Sequence, residues 1–153
     1  DNFWGGVIHQ AIRCWRVENP RISNDGWDEN SYVDILDHLL QVSGKVNLIG
    51  QNFGESLLHW IVANNLATPF RLKRKMVDTL IRHGADLEIH DRDFGSTPLG
   101  WAVIFGEKDM AEYLLDSGAM LDNPETKEWS KPMSWAKRNQ DEGLVHLLKG
   151  RWH

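Results

Sequence analysis

One tripeptide of the sequence, Asp93-Phe94-Gly95, matches a motif that supports phosphate transfer in protein kinases. The aspartate of that motif binds a magnesium ion beside the nucleotide phosphates. Such a site also requires a glycine-rich loop, a Val-Ala-Ile-Lys-like strand and a His-Arg-Asp-like loop. None of these three motifs occurs in the 153 residues. We therefore predict that the tripeptide is a coincidence and that no residue of the chain is catalytic.

Histidine and cysteine are the other candidates for site chemistry. His9 and His59 hold equivalent positions in two similar segments, but a metal site would need further ligands converging on them. Cys14 is the only cysteine, which excludes thiolate-rich zinc and iron–sulfur sites and an intrachain disulfide. The segment RISNDG (21–26) lacks the alternating acidic ligands of an EF-hand. We predict structural histidines, no metal and no cofactor.

The composition is typical of a soluble globular chain. Hydrophobic residues make up 41% of the sequence and charged residues 25%. A formal net charge of -5 argues against a nucleic-acid partner, because phosphate binding needs an excess of cations. The single cysteine suits a reducing compartment, so we predict a cytoplasmic protein. No basic leader and no apolar run long enough for a membrane span are present, so we predict no membrane partner. The chain begins at Asp1 rather than at a methionine, as a processed product or an excised fragment would, so a removed leader stays open.

The sequence repeats itself. Four segments align on a shared pattern: NFWGGVIH (2–9), NFGESLLH (52–59), DFGSTPLG (93–100) and, more loosely, KEWSKPMS (127–134). An aliphatic pair and then a glycine follow each segment, as in Leu114-Leu115 with Gly118. These features predict four units, at approximately 1–50, 51–91, 92–124 and 125–153. The first two units are longer, which indicates insertions between their helices at 15–30 and 66–75.

The third unit predicts the local structure of a repeat. Thr97 can cap a helix, and Pro98 suits the first helical position because its missing N–H needs no partner there. Gly106 can end this helix in a left-handed conformation after about Phe105. Asp109 can then cap a second helix. Neither helix is long enough to be stable alone, so stacking on neighbouring units must stabilise both.

These residues carry a resemblance to a known family. STPLGWAVIFGEKDMAEYLLDSGA (96–119) resembles an ankyrin repeat, as do SLLHWIVANN (56–65) and MVDTLIRHGADLE (76–88). The resemblance implies an all-α ankyrin-repeat solenoid of stacked helix-turn-helix units with β-hairpin fingers along one edge. It also implies a single, monomeric domain over 1–153 that binds a partner protein without catalysis. The first unit departs most from the family, since it lacks Thr-Pro.

The ankyrin register also implies a binding surface. It places Phe3, Phe53 and Phe94 at finger tips, and it places Ile104 and Phe105 at the end of a helix on the concave side. Exposed apolar side chains on that face would suggest a partner. The full predicted set is Asn52, Phe53, Glu55, Asp93, Phe94, Ser96, Ile104, Phe105 and Trp129. The alternative is that neighbouring fingers or inserted loops cover these rings.

Three tryptophans share one register position. Trp60, Trp101 and Trp135 directly follow the position where ankyrin repeats usually carry a histidine that ties one finger to the next. We predict that these rings pack in the core, because tryptophan buries a large area. The alternative is a partly open aromatic groove. Gly100 and Ser134 replace the histidine in the last two units, so there the tie must weaken or be made by another group.

Two charged segments complete the predictions. The basic cluster at 71–75 suits a solvated helix start better than a site for an acidic partner. Polar residues at 137–142 suit a terminal unit on which no further repeat stacks.

Three functions from different classes remain open at this point. The first is a protein-binding module or scaffold. The second is a regulatory or targeting ankyrin domain of a larger multidomain enzyme. The third is direct binding of a small molecule or nucleotide in the tryptophan groove.

Overall fold

The computed structural model describes residues 2–13, 29–63 and 68–152, and the regular elements in these ranges are helices. They are α1 (Asn2–Arg13), α2 (Glu29–Ser43), α3 (Leu57–Ala63), α4 (Phe70–Arg82), α5 (Pro98–Ile104), α6 (Lys108–Asp116), α7 (Pro132–Arg138) and α8 (Glu142–Gly150). A short 3₁₀ helix, Glu128–Ser130, precedes α7. Extended pairing in these ranges is limited to one antiparallel bridge between Ile49 and Ser56. The all-α prediction is confirmed, and none of the described helices has the length and apolar character to cross a membrane.

The eight described α-helices form two rows. Consecutive helices contact each other in pairs, α1 with α2, α3 with α4, α5 with α6 and α7 with α8. Along the first row, α1, α3, α5 and α7 each contact the next, and α2, α4, α6 and α8 do the same along the second. Each pair therefore buries its apolar side chains against the pairs beside it, as repeat units do.

The core lies between the two rows. In α4, Leu72, Met76 and Leu80 recur at a spacing of four and are fully buried, and Met110 and Leu114 do the same in α6. Burying such a side chain stabilises the fold by roughly 1.5–3 kcal/mol. The same core includes Ile8, Ile12, Leu36, Leu40, Leu57, Leu58, Ile61, Leu99, Val103, Ala136, Leu144 and Leu148.

The helix signals of the third unit are largely confirmed. The Thr97 hydroxyl accepts the backbone N–H of the third residue after it at 3.3 Å, and Pro98 is the first residue of α5. Gly106 has a φ of 73°, the left-handed conformation predicted after the helix. The cap predicted for Asp109 is wrong. Helix α6 begins earlier, with Glu107 at the cap position, so Asp109 lies in the first turn. There its negative charge interacts favourably with the positive end of the helix dipole.

The two predicted insertions differ in outcome. Only the first part of the segment 66–75 precedes the next helix. Helix α4 begins at Phe70 and includes the basic residues that follow it. The segment 15–30 lies outside the described residues except for its last two, which begin α2. From the sequence, Trp15 and Trp27 suggest that this segment is folded down rather than floppy, and both residues lie outside the described ranges.

The first unit does not follow the predicted register. The segment 2–9 aligns with a finger and a helix start, but it lies entirely within α1. The alignment gives the physical reason. Gly6 and Val7 stand where the third unit has Thr97 and Pro98, so neither a capping hydroxyl nor a proline fixes a helix start there.

Candidate functional site

A buried carboxylate orders the turn that contains the Asp-Phe-Gly tripeptide. Asp91 is 2% exposed, and its Oδ1 accepts the backbone N–H groups of Asp93 at 2.9 Å and Phe94 at 2.6 Å. Its Oδ2 accepts the N–H of Ser96 at 2.9 Å and the indole Nε1–H of Trp101 at 2.8 Å. Four donors thus converge on one side chain. Asp91 was missed by the sequence reasoning, which singled out Asp93.

Asp93 has a different environment. Its side chain is 41% exposed and pairs with Arg92, whose Nε lies 2.9 Å from Oδ1. Gly95 follows with a φ of 58°, which allows the chain to turn back, and the N–H of Asp91 bonds to the carbonyl of Ser96 at 3.0 Å. The tripeptide is therefore part of a closed turn on the surface.

The preceding unit has a similar turn built on a different residue. Glu55 is 1% exposed, and its carboxylate accepts the N–H of Phe53 at 2.7 Å and the Nε1–H of Trp60 at 2.8 Å. The N–H of Gly50 donates to the Glu55 carbonyl at 2.6 Å. In both units an acidic side chain links the turn to the tryptophan of the following helix.

A histidine connects the two turns. His59 is fully buried, and its Nε2–H donates to the carbonyl of Ser96 at 3.0 Å, while Nδ1 accepts the N–H of Ser56 at 3.0 Å. The predicted tie is thus confirmed for His59. His9 differs, because its Nδ1–H donates to the carbonyl of Gly5 at 2.8 Å within its own helix.

Burial lowers the pKa of His59 to about 4, and the hydrogen bond to Ser96 and the charges of Asp91 and Glu55 oppose this only in part. Because the pKa in the unfolded chain is 6.5, the unfolded state binds this proton more readily, and stability falls as the pH drops from 6.5 toward 4. We expect protonation of this histidine to lower the free energy of unfolding by up to about 3 kcal/mol over that pH range. Denaturant unfolding at a series of pH values measures the loss.

The matched variant is His59→Gln, whose side-chain amide can donate to the same carbonyl but does not titrate. Its unfolding free energy should fall less steeply with acidification than that of the parent chain. Parallel pH profiles for the two proteins would show that His59 does not carry the acid sensitivity.

A serine network replaces the histidine between the last two units. The Oγ of Ser96 donates to the carbonyl of Ser130 at 3.2 Å and accepts the Nε1–H of Trp135 at 2.9 Å. Ser130 Oγ in turn lies 2.6 Å from the carbonyl of Gly95. A Cβ at Gly100 would lie 2.9 Å from the Cβ of Ser96, so the missing side chain makes room for this network. Another group therefore makes the tie, which was one of the two predicted outcomes.

The tryptophan prediction is confirmed for two of the three rings. Trp101 and Trp135 are buried, with 5% and 9% exposure, whereas Trp60 is half-buried. Trp101 is surrounded edge-on by Phe53 at 6.2 Å and Phe105 at 5.7 Å between ring centroids. A continuous open groove along all three rings is thus absent from the described part of the chain.

Exposed aromatic rings lie over these buried tryptophans. Phe53 and Phe105 are each 42% exposed and Trp129 is 45% exposed. Phe94 is half-buried, with its ring centroid 6.2 Å from that of Trp101 and 6.0 Å from that of Trp135. The ring centroids of Trp129 and Trp135 are 6.4 Å apart. We call Phe53, Phe94, Phe105 and Trp129 the aromatic strip.

The predicted partner-binding residues thus fall into three groups. Those exposed are Asn52, Phe53, Asp93, Phe105 and Trp129. Phe94 and Ile104 are half-buried. The inclusion of Glu55 and Ser96 needs correction, because both are buried and their side chains are bonded inside the chain.

The basic residues at the start of α4 are largely paired within the chain. Lys73 is 2% exposed, with its Nζ 3.4 Å from a carboxylate oxygen of Glu107. Arg71 forms an ion pair with Glu29 at 2.7 Å, and the guanidinium of Arg74 lies 5.1 Å from the ring centroid of Tyr113. The segment starts a helix as predicted, but Lys73 is buried rather than solvated. Among the described residues, no three His, Cys, Asp or Glu side chains are grouped to hold a metal ion.

Comparisons with known proteins add two findings. The chain matches the family model for ankyrin repeats (three copies) over residues 28–127 and again over residues 66–150. Palmitoyltransferase ZDHHC13 of Pongo abelii and that of Homo sapiens are each 31% identical to this chain over 70 residues, which is 46% of the chain. The matched region is 11% of the length of each of these relatives.

Proposed function

Because the chain belongs to the ankyrin-repeat family, we propose that it is a non-catalytic module that binds a partner protein. Ankyrin repeats generally mediate protein–protein interaction and are typically not catalytic. In this proposal the four helix pairs stack as a solenoid over units 1–50, 51–91, 92–124 and 125–153, with the turns at 50–56 and 91–96 as its fingers. The module acts as a monomer in the cytoplasm.

The aromatic strip is the observation that supports this proposal. Three large aromatic side chains, each more than two-fifths exposed, lie edge-on to one of two buried tryptophans: Phe53 and Phe105 to Trp101, and Trp129 to Trp135. An exposed apolar cluster of this kind typically marks an interaction site, and aromatic residues supply much of the binding energy at interfaces.

The strip is also held in place before any partner arrives. Glu55 and Asp91 accept the backbone N–H groups of Phe53 and Phe94, and the N–H of Arg92 donates to the carbonyl of Phe53 at 2.7 Å. Binding then requires little ordering of the turns, which lowers its entropic cost. The exposed Asn52 and Asp93 flank the rings and can supply polar contacts at the rim.

The proposal predicts separate effects on binding and on folding. The double variant Phe53→Ser/Phe105→Ser should abolish capture of the partner from an extract of the native host, with the partner identified by mass spectrometry and then repurified for a two-component assay. The same variant should keep its helical circular dichroism, because both rings are partly exposed; each lost aromatic contact should cost about 1 kcal/mol.

Met120→Ser is the matched control, since Met120 is 53% exposed and lies outside the strip. It should leave capture unchanged. Capture that survives in the double variant would contradict the proposed surface, and unfolding of the double variant would identify these rings as part of the core.

A second candidate function comes from the relatives. Both are palmitoyltransferases, and the matched part is a small share of their length. The chain could thus serve as the regulatory or targeting region of a larger enzyme. Only this candidate requires a catalytic domain on the same polypeptide, so the sequence of the full-length gene product distinguishes it from a free-standing module.

A further inference from the structure

A cavity of about 340 Å³ opens between α1 and the segment 48–55. Its described lining includes Gly5 and His9 of α1 together with Ile49, Glu55 and Trp60. None of its described lining residues belongs to the aromatic strip. Ligand pockets commonly span ~300–1,000 Å³, so this volume suits one side chain or a small molecule.

His9, which lines the cavity and packs edge-on against Trp60, has an unused acceptor. Its Nδ1 lies 2.8 Å from the carbonyl of Gly5, which can only accept, so Nδ1 carries the hydrogen. In the neutral ring Nε2 is then a bare lone-pair acceptor. Within the described part of the chain, Nε2 is buried and has no hydrogen-bond partner. A buried polar atom without a partner is costly, and a donor on a ligand would remove that cost.

Glu55 adds acceptor capacity and negative charge to the same cavity. Its Oε1 accepts the Nε1–H of Trp60 and its Oε2 accepts the N–H of Phe53, one donor to each oxygen. A carboxylate oxygen accommodates two donors, so capacity remains on both. The unused acceptor of His9 and the carboxylate of Glu55, two residues that line the cavity, favour a cation with several N–H donors.

We propose that this cavity binds the guanidinium of an arginine on the partner protein, an inference that rests on the proposed function and specifies the partner's chemistry. Guanidinium combines a planar face for aromatic and apolar walls with N–H donors that point in several directions. The chain contains such a pairing at the equivalent position of its last unit. The guanidinium carbon of Arg138 lies 4.4 Å from the ring centroid of Trp135, which shares the register position of Trp60.

The test uses N-acetyl-arginine amide, titrated into the purified chain and followed by NMR at the His9 imidazole and Trp60 indole signals. We expect saturable shifts with a dissociation constant of about 1 mM, near 4 kcal/mol of binding free energy. N-acetyl-citrulline amide has nearly the same shape without the charge and should give no saturable shift. Absence of saturation with the arginine compound, or equal binding of citrulline, overturns the proposal.

A pair of glycine variants tests the location. Gly5 lies one turn before His9 on the same helix face, and a Cβ built on it meets no atom within 4 Å, so Gly5→Leu should occupy the cavity. Gly150→Leu makes the same change in α8, where a Cβ is equally unobstructed. Gly5→Leu should weaken binding by at least about tenfold, and Gly150→Leu should not.

Equal affinities for the two variants would overturn the location. The outcome is independent of the proposed function, because the arginine compound binds the purified chain directly. Loss of partner capture in the strip variant, with arginine binding retained, separates the two sites.

Discussion

Asp91→Ala is expected to lower the free energy of unfolding by about 4 kcal/mol, the scale of breaking a buried charged hydrogen-bond network. The substitution removes the acceptor for three backbone N–H groups and for the indole of Trp101, all at 2.9 Å or less. Asp91 is 2% exposed, so water cannot easily take its place. Urea unfolding followed by far-ultraviolet circular dichroism measures the change.

Asp93→Ala is the matched control for that experiment. It removes the same chemical group two residues away, but from a side chain that is 41% exposed and pairs with Arg92. Its effect should stay within about 0.5 kcal/mol, as for most surface substitutions. Equal effects of the two substitutions would show that the Asp91 carboxylate does not hold the turn together.

Trp101→Ala is expected to lower the free energy of unfolding by roughly 3–5 kcal/mol, the usual cost of deleting a large buried ring. Trp101 is 5% exposed and lies against the rings of Phe53, Phe94 and Phe105. Its loss leaves a cavity and also removes one donor from Asp91. The strip then loses its support, so the defect should extend to partner binding.

Trp129→Ala tests whether the loss of unfolding free energy depends on the size of the deleted side chain or on its burial. Trp129 is 45% exposed, so removing its ring should cost about 1 kcal/mol in unfolding free energy while still weakening partner capture. Thermal melting of both variants, run beside a binding assay, provides the comparison. If the unfolding free energy of Trp101→Ala fell no more than that of Trp129→Ala, the buried ring would not be a structural support.

The parts of the fold that sequence predicted well are those encoded locally. Thr97 and Pro98 start a helix and Gly106 ends it through their own backbone conformations and a hydrogen bond from the third residue after Thr97 to its side chain. The residues next to one another in the sequence therefore suffice to predict these features. The alignment likewise predicted four units, a division that stays a prediction, and the described residues form eight α-helices in contacting pairs. At residues 2–9 the same alignment failed because the local signals were absent.

The internal network of the candidate site could not be predicted in the same way. Glu55 and Asp91 perform one task, yet Glu55 directly precedes Ser56 whereas Asp91 lies five residues before Ser96, so they do not align. Ser96 faces inward because Trp135, 39 residues later, donates to it. Such contacts depend on how units stack, and side-chain type alone did not distinguish a rim residue from a buried one.

The bonds around Ser96 also determine how the array comes apart. Its carbonyl accepts from His59 of the unit before, and its hydroxyl accepts from Trp135 of the unit after. The third helix pair therefore cannot open without breaking bonds on both of its sides. We therefore expect local fluctuations of one pair to be coupled to those of its neighbours, so that unfolding is a collective event rather than a succession of independent ones. A partner that clamps the turn at 91–96 would consequently stabilise three helix pairs at once.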